Sequence, residues 1–336
     1  MKYRVIVGVD VSKKTLDFVG LVDGEKLFHM QTTNNQKGIK SFYNKLSKEV
    51  DIDQDQWLTC MEHTGIYCNP LINYCIKQSE DLWIEDASKI KTFHGTSRGK
   101  NDAVDALRIA DYAYSKQKKA ILWVEPRQVI KNLKMLNNLR NRLIKSKKEL
   151  SAPLKEEQGF EGEQLSEEHK LLLEPLLKNI KAQIKEVEKK MGQLIKADEH
   201  IKGLYKLITS VRGVGMIVAI NTIIESNEFN KISCPKKMAC HSGVAPFRYD
   251  SGTSVRSKSK VSHRANKRLK TLYHLAAMSA VSSKSGELKN YYERKIKEGK
   301  NKMAILNAVR NKIIHRIFAC VRDNRKYEEV YSYSLV

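Results

Sequence analysis

The chain has 336 residues, with 61 Lys and Arg against 38 Asp and Glu, a formal net charge of +23. That length allows two or three domains with a well-buried core. No apolar run reaches membrane-spanning length, and none of the six cysteines forms a CxxC pair, so membrane-spanning, disulfide-stapled and zinc-ribbon classes are disfavoured. Cys60, Cys68, Cys75, Cys234, Cys240 and Cys320 are expected as free thiols in a reducing cytoplasm. The start, MKYRVIVGVD, lacks the apolar core of a signal peptide and predicts a soluble intracellular protein. The charge is uneven: residues 1–125 hold 18 basic and 17 acidic residues (+1), leaving +22 for residues 126–336. A near-neutral region followed by a strongly basic one suits an enzyme that holds a polyanion.

Strand and helix patterns alternate first. RVIVGVDV predicts a buried strand, and TLDFVGLV and KLFHMQTT predict two more, separated by the turn residues Asp23 and Gly24. KGIKSFYNKLSKEV has helical period, WLTCMEHTG returns to strand, PLINYCIKQS to helix and DLWIEDAS to strand, and residues 101–116 are helical. The order β-β-β-α-β-α-β-α, a meander followed by parallel additions, is that of a ribonuclease-H-like fold. Over 127–200, Val129, Leu136, Leu143 and Leu150 recur every seven residues. Leu173, Leu177, Ile180, Ile184, Val187, Met191 and Leu194 form a second heptad seam. SAPLKEEQGFEGEQLSEE between them predicts a loop. The two seams predict an antiparallel helical hairpin or a dimerising coiled coil. From 201 the chain predicts a mostly helical domain, with helices near 264–284 and 286–325.

Four acids stand out. Asp10 lies within the first strand, Glu62 closes the fourth, and Asp102 and Asp105 open the helix KNDAVDALRIADYAY, three apart on one face. Hard carboxylate oxygens suit Mg²⁺, with Mn²⁺ as a substitute, and paired metals can activate an attacking oxygen and stabilise a leaving one. Each acid has a bland alternative, such as a turn former, a surface residue or a helix N-terminal residue. Their joint placement favours metal binding. Asp17, in TLDFVG, is expected to face solvent.

Two phosphate-binding signals lie further on. Residues 251–270 hold Arg256, Lys258, Lys260, Arg264, Lys267, Arg268 and Lys270 and no acid. Gly252 permits close backbone approach, and the helix that follows offers amides at its start. Ser251 precedes Gly252, but composition alone cannot single it out from Ser242, Ser254, Ser257, Ser259 and Ser262. In ITSVRGVGMIVAI, Gly213-Val214-Gly215 joins two helical segments and resembles a helix-hairpin-helix, which binds phosphate through turn amides.

GVDVSKKTLDFVG, MEHTG and KNDAVDALRIA resemble the DEDD-type, RuvC-like N-terminal domain of IS110-family transposases. VRGVGMIVA, SGVAPFRYDSGTS and ANKRLKTLYHLAAMSA resemble that family's C-terminal transposase domain. The resemblance implies a site-specific DNA recombinase that moves its own insertion element. It makes Asp10, Glu62, Asp102 and Asp105 Mg²⁺ ligands and Ser251 a nucleophile that forms a covalent phosphoserine. It also implies a bridge RNA that pairs with donor and target DNA, and a homo-oligomer, dimer or tetramer, joined by the coiled coil. Asp250 before the Ser-Gly pair and the loop at 151–168 are individual to this chain. The expected division is a RuvC-like α/β domain at 1–126, a coiled-coil hairpin at 127–200 and a helical transposase domain at 201–336. Gly213, Gly215, Gly252, Arg256, Lys258, Lys260, Arg264, Lys267 and Arg268 are the candidate nucleic-acid contacts. The rival readings are a RuvC-like structure-specific endonuclease using metal-activated water and a non-catalytic nucleic-acid-binding protein.

Overall fold

The computed structural model describes residues 2–95, 101–156, 163–246, 250–251, 255–256 and 261–328, with the backbone alone at 155–156, 163–166, 250–251 and 255–256. The backbone divides into two compact units, Met1–Glu125 and Pro126–Val336.

In the first unit, β1 (Val5–Val11), β2 (Thr15–Val22) and β3 (Glu25–Thr33) form an antiparallel meander. Asp23 and Gly24 take positive φ (49° and 95°) in the two-residue turn that joins β2 to β3. After α1 (Gln36–Glu49), β4 (Trp57–Glu62) adds parallel to β1. After α2 (Asn69–Gln78), β5 (Leu82–Glu85) adds parallel to β4, giving the order β3-β2-β1-β4-β5. The mixed sheet is the one the strand pattern predicts. One element was not expected: α3 (Ala87–His94) precedes α4 (Asp102–Lys116). The strand expected over 81–88 stops at Glu85 because the Asp86 side chain caps α3 by accepting from the Ser88 amide.

The sheet's two faces follow from strand alternation. Val5, Val7, Val9, Leu16 and Phe18 pack on one side with Ile39, Phe42 and Leu46 of α1 and Leu71 of α2. Ile6, Val19, Leu58, Cys60 and Trp83 pack on the other with Ala106, Ile109, Ala110 and Ala113 of α4. Gly8 lets α4 lie directly on β1, since a Cβ there would stand 2.4 Å from the Ala106 carbonyl oxygen and the Ala110 nitrogen.

The second unit contains α5 (Gln128–Ser151), α6 (Pro153–Glu156), α7 (Glu163–Ala197), α8 (Glu199–Thr209), α9 (Met216–Ser226), α10 (Pro235–His241), β6 (Asp250–Ser251), β7 (Val255–Arg256), α11 (Lys267–Val281), α12 (Glu287–Lys297) and α13 (Lys302–Arg322). α5 and α7 run antiparallel, pinned by Arg127–Asp198 at 2.8 Å and Arg140–Glu188 at 2.6 Å. Their seam is fully buried near its base, at Ile130, Leu133, Val187, Met191 and Ile195, and half-buried further along, at Leu136, Leu143, Leu150, Leu173, Leu177, Ile180 and Ile184, while Leu171 and Leu172, off the seam, are 70% and 73% exposed. Part of the loop expected at 151–168 is instead helical, in α6 and the first turn of α7, and 157–162 lie outside the described residues. The single helix expected over 286–325 is two, because Gly299 takes φ 73° and Asn301 then caps α13. The unit's core joins Ala219 and Ile223 of α9 to Tyr273 and Ala277 of α11 and Ile313 and Ile317 of α13.

Candidate active site

The strand registers place one polar side chain from each of five strands in a single row across the α4 face. Gln31 pairs with Asp17, Asp17 with Asp10, and Glu62 with Glu85. Asp10 and Glu62 lie one step beyond the parallel pair Val9 and Met61. Four carboxylates in one row are costly, because like charges directly opposed across strands repel. The two at the flanks are held by hydrogen bonds within the fold. Asp17 is only 3% exposed and accepts from His29 Nε2 at 2.9 Å and Gln31 Nε2 at 3.0 Å. Glu85 accepts from Lys89 Nζ and the Asp86 amide, both at 2.8 Å, and from the Tyr112 hydroxyl at 3.1 Å. The two in the centre, Asp10 and Glu62, make no ion pair among the described residues.

Their protonation reflects this. Burial pushes the Asp10 carboxyl up to about 6, helped by the charges of Asp102, Asp105 and Asp17. Burial also pushes Glu62 up, with Asp10, Asp105 and Asp86 adding to it. All four acids singled out in the sequence therefore act on one another. α4 brings the last two: its first residue is Asp102, Asn101 caps it by accepting from the Ala103 amide, and Ala106 sits over Gly8, two residues before Asp10. Asp102 is exposed, while Asp105 is held by Arg108 Nη1 at 2.9 Å.

Among the described residues, no three such groups form a ready metal cage. The donor chemistry nevertheless suits a hard divalent ion, because the side chains are all oxygen donors and, among the described residues, the two central carboxylates lack a counter-charge.

The expectation that Asp17 faces solvent is overturned. β2 is an interior strand, and the tight turn in which the Ser12 amide donates to the Thr15 carbonyl fixes Asp17 opposite Asp10, beneath α4. The signal was present in the sequence, because a two-residue Lys13-Lys14 turn makes 10 and 17 partners. His29, Gln31 and Glu85 were not singled out either.

In the second unit, Ser251 pairs with Val255 and Asp250 with Arg256, so the backbone at Ser251 and Arg256 belongs to one small antiparallel hairpin. Gly252, Lys258 and Lys260 lie outside the described residues. Arg264 and Lys267 are exposed just before and at the start of α11. Arg268 is turned inward: its guanidinium donates to Asn137 Oδ1 at 2.8 Å, and Asn137 donates to Asn221 at 3.0 Å. Gly213 takes φ 85° and packs against α11, where a Cβ would stand 2.3 Å from the Ala276 carbonyl oxygen. Gly215, which precedes α9, is exposed with open space around it.

Two family models match this chain. One, a transposase model of DEDD-type IS110 proteins, covers residues 7–156 and so contains all four acids. The other, for transposases of the IS116/IS110/IS902 family, covers residues 205–293 and contains Ser251. The chain belongs to the IS110 family of transposases. Similar curated proteins include the pilin gene-inverting proteins of Moraxella bovis and Moraxella lacunata. Each is 21% identical, over 97% of this chain and 98% of the relative. An uncharacterized 43.6 kDa protein of insertion element IS110 from Streptomyces coelicolor is 26% identical over 37% of this chain and 30% of its own length. IS110-family membership makes DNA the substrate class and strand rearrangement the class of activity. No helix among the described residues is long and apolar enough to cross a membrane.

Proposed function

We propose that the chain is a site-specific DNA recombinase of an insertion element, guided by a structured RNA encoded with it, in which the carboxylate row and Ser251 together act on one phosphodiester. The observation that supports this reading is the centre of the row: Asp17 and Glu85 are held by hydrogen bonds, while Asp10 and Glu62 have no counter-charge among the described residues, which is the arrangement cation ligands would use. Asp10, Glu62, Asp102 and Asp105 would hold Mg²⁺. When bound, it supplies charge neutralisation at the scissile phosphate and lowers the pKa of a coordinated hydroxyl or water.

The chain's own residues do the rest. Ser251 Oγ attacks the phosphorus, gives up its proton and forms a phosphoserine as the DNA 3′-oxygen leaves and is protonated. A 3′-hydroxyl from the exchanged strand then attacks that phosphoserine and restores the serine, so the bond count is conserved without hydrolysis. Arg256, Lys258, Lys260, Arg264 and Lys267, with the Gly213-Val214-Gly215 turn, hold DNA or RNA phosphates without reading sequence. Sequence reading falls to base pairing with the RNA. A homo-oligomer assembled through the α5–α7 hairpin would complete each site. The name of the Moraxella relatives, gene-inverting proteins, accords with conservative strand exchange.

The test is to trap a protein–DNA adduct with Mg²⁺, the element's RNA and its donor and target DNA, then map it. An adduct at Ser251 that is lost in Ser251→Ala is expected. Strand cleavage undiminished in Ser251→Ala, with no adduct, would instead support a metal-dependent endonuclease using water.

A further inference from the structure

In the first unit, five exposed lysines without an acidic partner among the described residues follow the β1–β2 turn and the outer face of α1. At the Asp10 end of the sheet, Asn34 ties three segments together. Its amide donates to the Lys14 carbonyl at 2.8 Å, and its side chain donates to the Ser12 carbonyl at 2.8 Å and the Tyr67 carbonyl at 3.0 Å. The β1–β2 turn with Lys13 and Lys14, the entry to α1 and the loop after β4 therefore share the edge on which Asp10 and Glu62 end their strands. Asn35 caps α1 immediately afterwards, so Lys37 and Lys40 rise from the same edge and Lys48 continues their face toward the far end of the sheet.

All five lysines are exposed, and none has an acidic partner among the described residues. Lys45, by contrast, is paired with Glu49 at 3.8 Å and lies over the Phe28 ring. A solvated amphipathic helix ordinarily interleaves acids and bases on its outer face. No acid occurs from Asn34 to Lys48. Gathering free cations this way costs repulsion, and a polyanion laid along them would relieve it. Without such a rim, a phosphate strand approaching the carboxylate row would be repelled. From Lys37 to Lys48 the helix rises about 16 Å, roughly five base-pair steps at 3.4 Å.

We propose that this rim is a phosphate track, on which Lys13, Lys14, Lys37 and Lys40 grip the backbone of the nucleic-acid strand entering the carboxylate row and Lys48 extends the contact along α1. The proposal rests on reading the row as a nucleic-acid site. It adds a binding surface in the near-neutral unit, apart from the basic segment at 251–270.

The experiment compares the full chain with a Lys13→Gln, Lys14→Gln, Lys37→Gln, Lys40→Gln variant. The control is Lys26→Gln, Lys77→Gln, Lys118→Gln, Lys119→Gln, four exposed lysines toward the opposite end of the same sheet. Binding to labelled duplex DNA, single-stranded DNA and an RNA hairpin is measured by anisotropy across a salt series in EDTA, so that chemistry is off. Circular dichroism confirms that each variant is folded. The rim variant is expected to bind at least one of the three polymers roughly tenfold or more weakly at moderate salt. Its log–log salt slope should be shallower by about 0.7–0.9 per lost contact, with the control unchanged. The arm that responds identifies the strand carried. Equal affinity and slope for the rim variant and the control in every arm would overturn the track while leaving the active-site reading intact. Failure of the unaltered chain to bind any of the three would overturn both.

Discussion

The centre and the flanks of the carboxylate row are built from the same chemistry on the same sheet, yet only the flanks are satisfied. Asp17 and Glu85 have five donors between them, from His29, Gln31, Lys89, Asp86 and Tyr112. Asp10 and Glu62 have none from a cationic side chain among the described residues, and burial together with neighbouring acids raises their pKa values. The flanks behave as structure, and the centre behaves as stored strain of the kind functional sites carry. The same substitution should therefore have opposite effects at the two places.

The largest effect is expected at the centre. Asp10→Asn should reduce Mg²⁺-dependent strand cleavage or exchange by roughly a hundredfold or more, since ligand loss exceeds the 10–100-fold cost of altering a supporting contact. The metal-free protein should nonetheless become more stable at neutral pH. The folded Asp10 has its pKa raised to about 6, above its ordinary 3.8, so folding disfavours the charged form. Destabilisation is therefore full above about pH 6 and fades as pH falls toward 4. Asp10→Asn should remove about 1–3 kcal/mol of it at pH 7.5 and flatten the pH dependence of the melting temperature between 4 and 6. A melting temperature that falls in EDTA would show Asp10 to be a structural residue like Asp17.

Gly8 tests how the centre is assembled. A methyl group there meets the α4 backbone at 2.4 Å, and backbone cannot swing aside as a side-chain tip can. Gly8→Ala should cost about 1–3 kcal/mol or more. It should also lift α4, so that Asp10 loses the influence of Asp102 and Asp105. In a variant that remains folded, NMR titration of Asp10 should give a pKa closer to the ordinary value. An unchanged Asp10 titration would mean that the two α4 acids reach the centre without this close packing.

The difference between centre and flanks also explains what the sequence revealed. The continuous apolar runs RVIVGVDV and TLDFVGLV, separated by turn residues from KLFHMQTT, revealed the meander, because strands covered on both faces are apolar throughout. Asp10 and Glu62 stood out as charges within or closing apolar runs, and Asp102 and Asp105 as two like charges on one face of a helix start. Asp17 was misread because its compensation comes from His29 and Gln31 on a third strand, and such partners emerge only from register. α3 was missed because its eight residues carry one fully buried apolar side chain, Ile90, too little for a periodic signal. Heptad spacing predicted a continuous α5–α7 seam. Burial is complete only at the base, where the hairpin shares the core of α8, α9 and α11; beyond it the seam positions Leu173, Leu177, Ile180 and Ile184 are half-buried. Arg268 was counted as a phosphate contact by composition, yet buried Asn137 claims its guanidinium, a pairing between residues 131 positions apart.

The flanks should give the smaller, purely structural effects. Asp17→Ala removes the acceptor of His29, whose side chain is 29% exposed, and of the exposed Gln31, so water can replace it and the cost should be about 0.5–1.5 kcal/mol. Glu85→Gln is gentler. A glutamine keeps the shape: its oxygen can still accept from the Asp86 amide while its NH2 donates to the Tyr112 hydroxyl oxygen, and what is lost is the charge opposite Lys89, whose own side chain is 60% exposed and well screened. The expected cost is below about 1 kcal/mol, read as a small fall in the urea midpoint with no change in slope. Metal-dependent stabilisation by Mn²⁺ should be retained in Glu85→Gln and lost in Glu62→Gln, its neighbour in the same row. If the two glutamine variants lost that stabilisation equally, the cation's place would extend across the row, and the clamp on Glu85 would be a feature of the metal-free state alone.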